Sequence, residues 1–153
     1  MFTNRLFMLF VAIILAIVSG MYPRARVLAT GAVGSKLIAI SGQGAGRVVV
    51  SPTSQDQGTF AAEITVNIHD TAPNTTFSII RAPDLNPDGF CTGSYIPFGE
   101  SLTTSVGGSG ATHFHFERGA PLLSGVRFDV AFRAVSSDGA IVLQSDCMTV
   151  TVK

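Results

Sequence analysis

The stretch Phe60-Ala-Ala-Glu-Ile-Thr-Val-Asn-Ile-His69 decides the fold class. Phe60, Ala62, Ile64, Val66 and Ile68 alternate with Ala61, Glu63, Thr65, Asn67 and His69. Successive side chains of a strand point to opposite faces. A period of two therefore predicts a strand with one buried face and one wet face.

The same period recurs downstream. Val126, Phe128, Val130, Phe132 and Ala134 alternate with Arg127, Asp129, Ala131 and Arg133. Met148, Val150 and Val152 alternate with Cys147, Thr149, Thr151 and Lys153, which predicts a last strand. Phe114 and Phe116 lie opposite His113, His115 and Glu117. Weaker strands fit residues 37–41, 47–51, 75–81, 102–105 and 141–144. Turn residues separate these runs. Gly107-Gly108-Ser109-Gly110 and Asp138-Gly139 are the hairpin signals, because such turns need positive φ. Beyond Lys36 no stretch has a helical period. The expectation is an all-β domain over residues 30–153, a single antiparallel β-sandwich of about 7–9 strands.

One segment breaks the rhythm. Ala82 to Ser101 carries Pro83, Pro87, Asp88-Gly89, Cys91, Gly93, Pro97 and Gly99. It reads as a long loop, of the kind that binds ligands or partners on a rigid scaffold. Phe90, Tyr95 and Phe98 are its candidate binding residues. Cys91 and Cys147 are the two cysteines of the chain and are expected to form a disulfide that ties this loop to the last strand.

The oxidising compartment that such a bond needs is indicated at the other end of the chain. Leu6 to Val18 is an unbroken apolar run, with Arg5 ahead of it. Residues 1–29 therefore read as a secretory signal peptide, cleaved after Ala29 or, as the runner-up, after Gly20. The competing reading is an uncleaved membrane anchor through residues 6–22, an apolar helix just long enough to span. Either way the domain from about residue 30 onward is secreted or extracytoplasmic.

His113 and His115 are the most suggestive chemistry. On one strand they point to the same face about 6.5–7 Å apart. That spacing can chelate zinc or copper, with Glu117 continuing the face and His69 joining if the two strands are neighbours. Solvent-exposed polar positions of an alternating strand explain the same pattern without a metal. Other chemistries lack their motifs. Gly107-Gly108-Ser109-Gly110-Ala111 has neither the final glycine of a nucleophile elbow nor the Gly-Lys-Ser/Thr ending of a phosphate loop. Asp84 and Asp88 do not have EF-hand spacing and read as turn residues. Cys147-Met148 has no following histidine for a blue-copper site. Asn74-Thr75-Thr76 matches the glycosylation sequon.

Residues 46–119 resemble the extracellular sandwich domains related to copper–zinc superoxide dismutase, including the chordin-type domains. The resemblance rests on His113-Phe114-His115 followed by Glu117-Arg118-Gly119. It implies a sandwich but not the dismutase centre, which needs more than the three histidines present. The chain is equally similar to immunoglobulin-like sandwiches, departing from the antibody pattern in having no Trp and in the loop position of Cys91. It looks like an exported bacterial sandwich protein.

The formal charge is +0, from 10 Lys+Arg against 10 Asp+Glu. Arg5, Arg24 and Arg26 belong to the export segment or its flank. Cut after Ala29, the domain keeps 7 basic residues against 10 acidic, a net of −3. An acidic domain argues against a nucleic-acid partner. The expected function is a non-catalytic secreted or surface-tethered binding or structural module for an extracellular partner or ligand, with no cofactor. The alternative is a metal-binding domain using His113, His115 and perhaps His69.

Overall fold

The computed structural model describes residues 31–53, 59–118 and 122–153. The expected signal or anchor segment and both cleavage positions lie outside the described residues. Among the described residues alternation produces nine strands. They are β1 (Val33–Ser41), β2 (Ala45–Thr53), β3 (Phe60–His69), β4 (Thr76–Asp84) and β5 (Ile96–Thr103), followed by β6 (Gly110–Arg118), β7 (Arg127–Ser136), β8 (Val142–Ser145) and β9 (Met148–Thr151). Every pairing is antiparallel. The described residues contain no helix.

The strand order is β5-β4-β7-β8-β1-β2-β3-β6, with β9 also on β7. β8 and β9 occupy successive parts of the β7 edge: Arg133 to Val135 pair with β8, and Arg127 to Val130 with β9. Between them the Ser145 hydroxyl stands in for a ladder carbonyl. It accepts the Phe132 N–H at 2.8 Å and donates to the Asp146 carbonyl at 2.8 Å.

The two ends of this path, β5 and β6, meet at a tight turn where the Ser105 N–H donates to the Ser109 carbonyl at 2.8 Å. The sheet is thus nearly a barrel. Among the described residues no ladder joins β5 to β6. Their seam is filled by side chains instead: the Phe98 ring lies 5.2 Å from Phe114 and 5.1 Å from Phe116. The connection from β3 to β4 passes the β5–β6 turn. Thr71 donates both its N–H and its hydroxyl to the Gly108 carbonyl, at 3.1 and 3.0 Å. The Thr104 hydroxyl donates to the Ala72 carbonyl at 2.7 Å and accepts the Thr75 N–H at 2.9 Å.

The inner faces carry the expected core. Leu37, Ile64, Phe77, Ile79 and Leu143 are fully buried, and the Phe60 and Phe128 rings meet edge to face at 5.0 Å. Burying a side chain of this size stabilises by roughly 1.5–3 kcal/mol.

Two expectations change. The Ala82–Ser101 loop shrinks to residues 85–95, because β4 continues to Asp84 and β5 begins at Ile96. The prolines concealed those strand ends. Pro83 lies past the last β4–β5 pair, Arg81 with Ile96, where no N–H is required. Pro97 sits on β5, which has a ladder on one side only. Second, the outer face of β7 is not wet along its length. Asp129 is 0% exposed and Ala131 is buried beside it. The loop covers this face: the Gly89 N–H donates to Asp129 at 2.6 Å.

Candidate binding site

The disulfide holds that loop in place. Cys91 and Cys147 are bonded, with their Cα atoms 5.5 Å apart. Asp84 organises the loop entrance, accepting the Asn86 N–H and both the N–H and hydroxyl of Thr92. These bonds, the Asn86 N–H first, hold its carboxyl below the usual carboxylate range. The three candidate loop residues separate. Phe90 is 71% exposed at the loop surface. Tyr95 lies under the Arg133 guanidinium, 3.9 Å from ring centroid to Cζ, and Arg133 is held by Gln144 at 2.7 Å. Phe98 turns inward.

Phe98 is one wall of a small, partly open pocket of about 30 Å³. The pocket occupies the barrel end where β4 and β6 finish and β3, β5 and β7 begin. Phe60, Phe128 and Phe132 form its buried floor. Phe98 and Phe116 are half-buried walls. Among the described residues Arg81 and Arg118 are its charged lining residues.

Arg81 is an unusual residue for an inward-alternating position, on the face of Phe77 and Ile79 and opposite Phe132. Its guanidinium lies 4.1 Å from the Phe98 centroid and 4.4 Å from that of Phe116, within cation–π range. Its Nη1 donates to the Pro97 carbonyl at 3.2 Å. No carboxylate of the described residues lies within 4.0 Å of Arg81 or Arg118. Burial, and then the Arg118 charge, lower the Arg81 pKa, yet a guanidinium stays charged at neutral pH. The sequence reading passed over this site. Arg81 stood at the end of a weak strand, and Phe98 was assigned to a loop.

The histidine pair sits elsewhere, on the outer face of β6. β3 and β6 are neighbours, so Thr65 faces His113 and Glu63 faces His115. The Glu63 carboxylate accepts from His115 Nδ1 at 2.8 Å and lies 3.0 Å from His113 Nε2. His113 Nδ1 shares a hydrogen bond with the Thr65 hydroxyl at 2.9 Å. His69 does not join them. It lies four residues beyond Thr65 along β3 and bonds to Asp70 at 2.7 Å. Glu117 faces Ala61 at the far end of the ladder. Among the described residues no three His, Cys, Asp or Glu side chains surround a common point that could hold a metal. Glu63 stands between the two imidazoles. Asn74 of the sequon is exposed in the turn before β4, with φ 51°.

No protein-family model, curated protein or solved structure matches the chain.

Proposed function

We propose that this protein is an exported, non-catalytic binding module, a flattened barrel or sandwich that receives a small ligand at its seam. The observation that carries this reading is the phenylalanine-walled pocket at one end of the barrel, with Phe98 of the edge strand β5 as one wall. Ligand sites are concave, mostly apolar and supplied with a few placed polar groups. The disulfide is compatible with an extracytoplasmic location, where such bonds persist. The test is a fluorescence titration of the full-length protein with phenylnaphthylamine, a neutral apolar dye. Saturable binding that Phe98→Ala weakens supports the reading. Absence of saturable binding overturns it.

A second reading is a zinc- or copper-binding surface on β6. Glu63 favours it by bringing a carboxylate within 3.0 Å of both His113 and His115, so a metal taken up by the two rings would draw on a third donor once Glu63 swung from between them. Its test is the retention of zinc or copper by the purified protein, lost in His113→Ala. No retained metal, and no thermal shift with either ion, removes it.

A further inference from the structure

Exposed apolar side chains concentrate at one end of the barrel. With every pairing antiparallel, β1, β3, β5 and β7 begin at this end, and β2, β4, β6, β8 and β9 finish there. Eight large apolar side chains are exposed among the described residues, and five of them belong to it. Leu85 and Leu123, 69% and 66% exposed, stand in the connections that follow β4 and β6. Val126 precedes β7, Ile96 opens β5, and Phe90 lies on the flank, in the loop held to β7. The other three are Ile38 and Ile40 on β1 and Val106 in the turn at the opposite end. Apolar residues exposed singly need no explanation, but a group of them on one surface marks an interaction site.

The chain enters the domain at the same end. Gly31 lies against the Lys153 side chain, so closely that a Cβ would come within 2.5 Å of it. Val152, next along, donates its N–H to the Val126 carbonyl at 2.8 Å and accepts the Gly125 N–H at 2.9 Å. The Val126 N–H closes that turn on the Leu123 carbonyl at 3.0 Å. The entry point and the Leu123 turn are therefore neighbours. Upstream, residues 23–30 separate Gly31 from the apolar run read as an anchor at residues 6–22. Eight extended residues reach at most about 29 Å. An anchor retained in a bilayer keeps this end within that distance of the lipid surface. The short tether raises the effective concentration of Leu123 and its neighbours there. Arg24 and Arg26 in the tether, and Arg127 and Lys153 at the end of the barrel, suit a headgroup layer.

We propose that residues 6–22 are retained as an anchor and that this end of the barrel rests on the lipid bilayer, with Leu85, Leu123 and Val126 entering its interface. Apolar side chains gain there what they lose in water.

The chain has no Trp, so a single introduced one reports its own surroundings. The experiment compares Leu123→Trp with Val106→Trp, whose site is 84% exposed at the opposite end. Each full chain is reconstituted into phosphatidylcholine vesicles with and without brominated acyl chains. The expected result is that Leu123→Trp emits at shorter wavelength and loses most of its intensity to the brominated lipid, while Val106→Trp does neither. Both sites are exposed, so neither substitution disturbs the core. Water-like, unquenched emission from both variants overturns the proposal. A short-wavelength Leu123→Trp that brominated lipid leaves unquenched also overturns it, assigning this end to a second copy of the chain. Intact mass of the protein made in a bacterial host checks the anchor. The full chain in the membrane fraction is expected, and a chain that starts at Met21 or Thr30 overturns the proposal. Neither measurement involves the phenylalanine-walled pocket, so the binding reading stands or falls separately on its dye titration.

Discussion

The buried carboxylate of Asp129 accepts the Gly89 N–H at 2.6 Å, which fastens the loop between β4 and β5 to the outer face of β7. Its other oxygen accepts the Thr149 hydroxyl from β9, also at 2.6 Å. One side chain thus joins a loop, a central strand and the last strand. A desolvated carboxylate is tolerated because both oxygens have donors. Asp129→Ala leaves the Gly89 N–H and the Thr149 hydroxyl without their acceptor. The expected destabilisation is about 2–4 kcal/mol, with Asp129→Asn milder. Urea denaturation measures it. Limited proteolysis of residues 85–95 should accelerate in the same order.

The disulfide acts on the same loop by another route. It links positions 56 apart, so its main effect falls on the unfolded chain. Loop-closure entropy sets a ceiling of roughly 4 kcal/mol. Because Asp129 still holds Gly89 in the reduced protein, Cys91→Ser with Cys147→Ser should retain the strand content seen by circular dichroism. The midpoint of thermal unfolding should fall. Combining the pair with Asp129→Ala should cost more than the sum of the two changes, since both then release one loop.

These contacts also mark where sequence patterning stops informing. Alternation placed Phe60, Ile64, Phe128 and Phe132 in the core, and they are there. It assigned Asp129 to the wet face for the same reason, because a period of two separates faces without saying what covers the outer one. Coverage depends on a loop whose path is set by Cys91, Gly89 and Asp84, all distant in the chain from β7. The histidine pair was legible as two side chains on one face. Its partner was not, because Glu63 reaches it only through the β3–β6 register. The pocket was least visible. Its lining is gathered from β2 through β7, a property of topology that no local pattern carries.

Acid should loosen the loop and the β7–β8 turn before neutral pH matters. Asp84 is held below its usual range by the Asn86 N–H first and then by Thr92. Asp138 is held below it by the Ser136 hydroxyl first and then by the Ala140 N–H. For a carboxyl with a depressed folded pKa, the stabilising contribution is complete above the unfolded value, about 3.9 for aspartate. It declines as pH falls through the lower folded value. Stability should therefore be flat in this respect from neutral pH to roughly 5, then drop below 4. Both groups are solvent-accessible, so the effect is small and screened by salt. Asp84→Asn with Asp138→Asn should lower stability at neutral pH and flatten the acid limb. An unchanged acid limb in that variant would falsify the assignment.

Two glycines separate the cost of backbone conformation from the cost of a clash. Gly108 and Gly139 have nearly the same positive φ, 71° and 72°, in the turns before β6 and β8. A methyl group at either must accept a left-handed backbone, which costs roughly 1–2 kcal/mol. At Gly139 a Cβ would meet nothing within 4 Å. At Gly108 it would come within 2.2 Å of the Thr71 carbonyl oxygen. That oxygen cannot retreat cheaply, because the Thr71 N–H and hydroxyl both bond to the Gly108 carbonyl. Gly139→Ala should therefore show only the conformational cost. Gly108→Ala should exceed it by at least about 2 kcal/mol, the loss of those two hydrogen bonds at roughly 1 kcal/mol each. Paired chemical denaturation of the two variants measures the difference. Equal midpoints would mean that the β3–β4 connection yields to the methyl group and that the Thr71–Gly108 contact does not fix the closed end of the barrel.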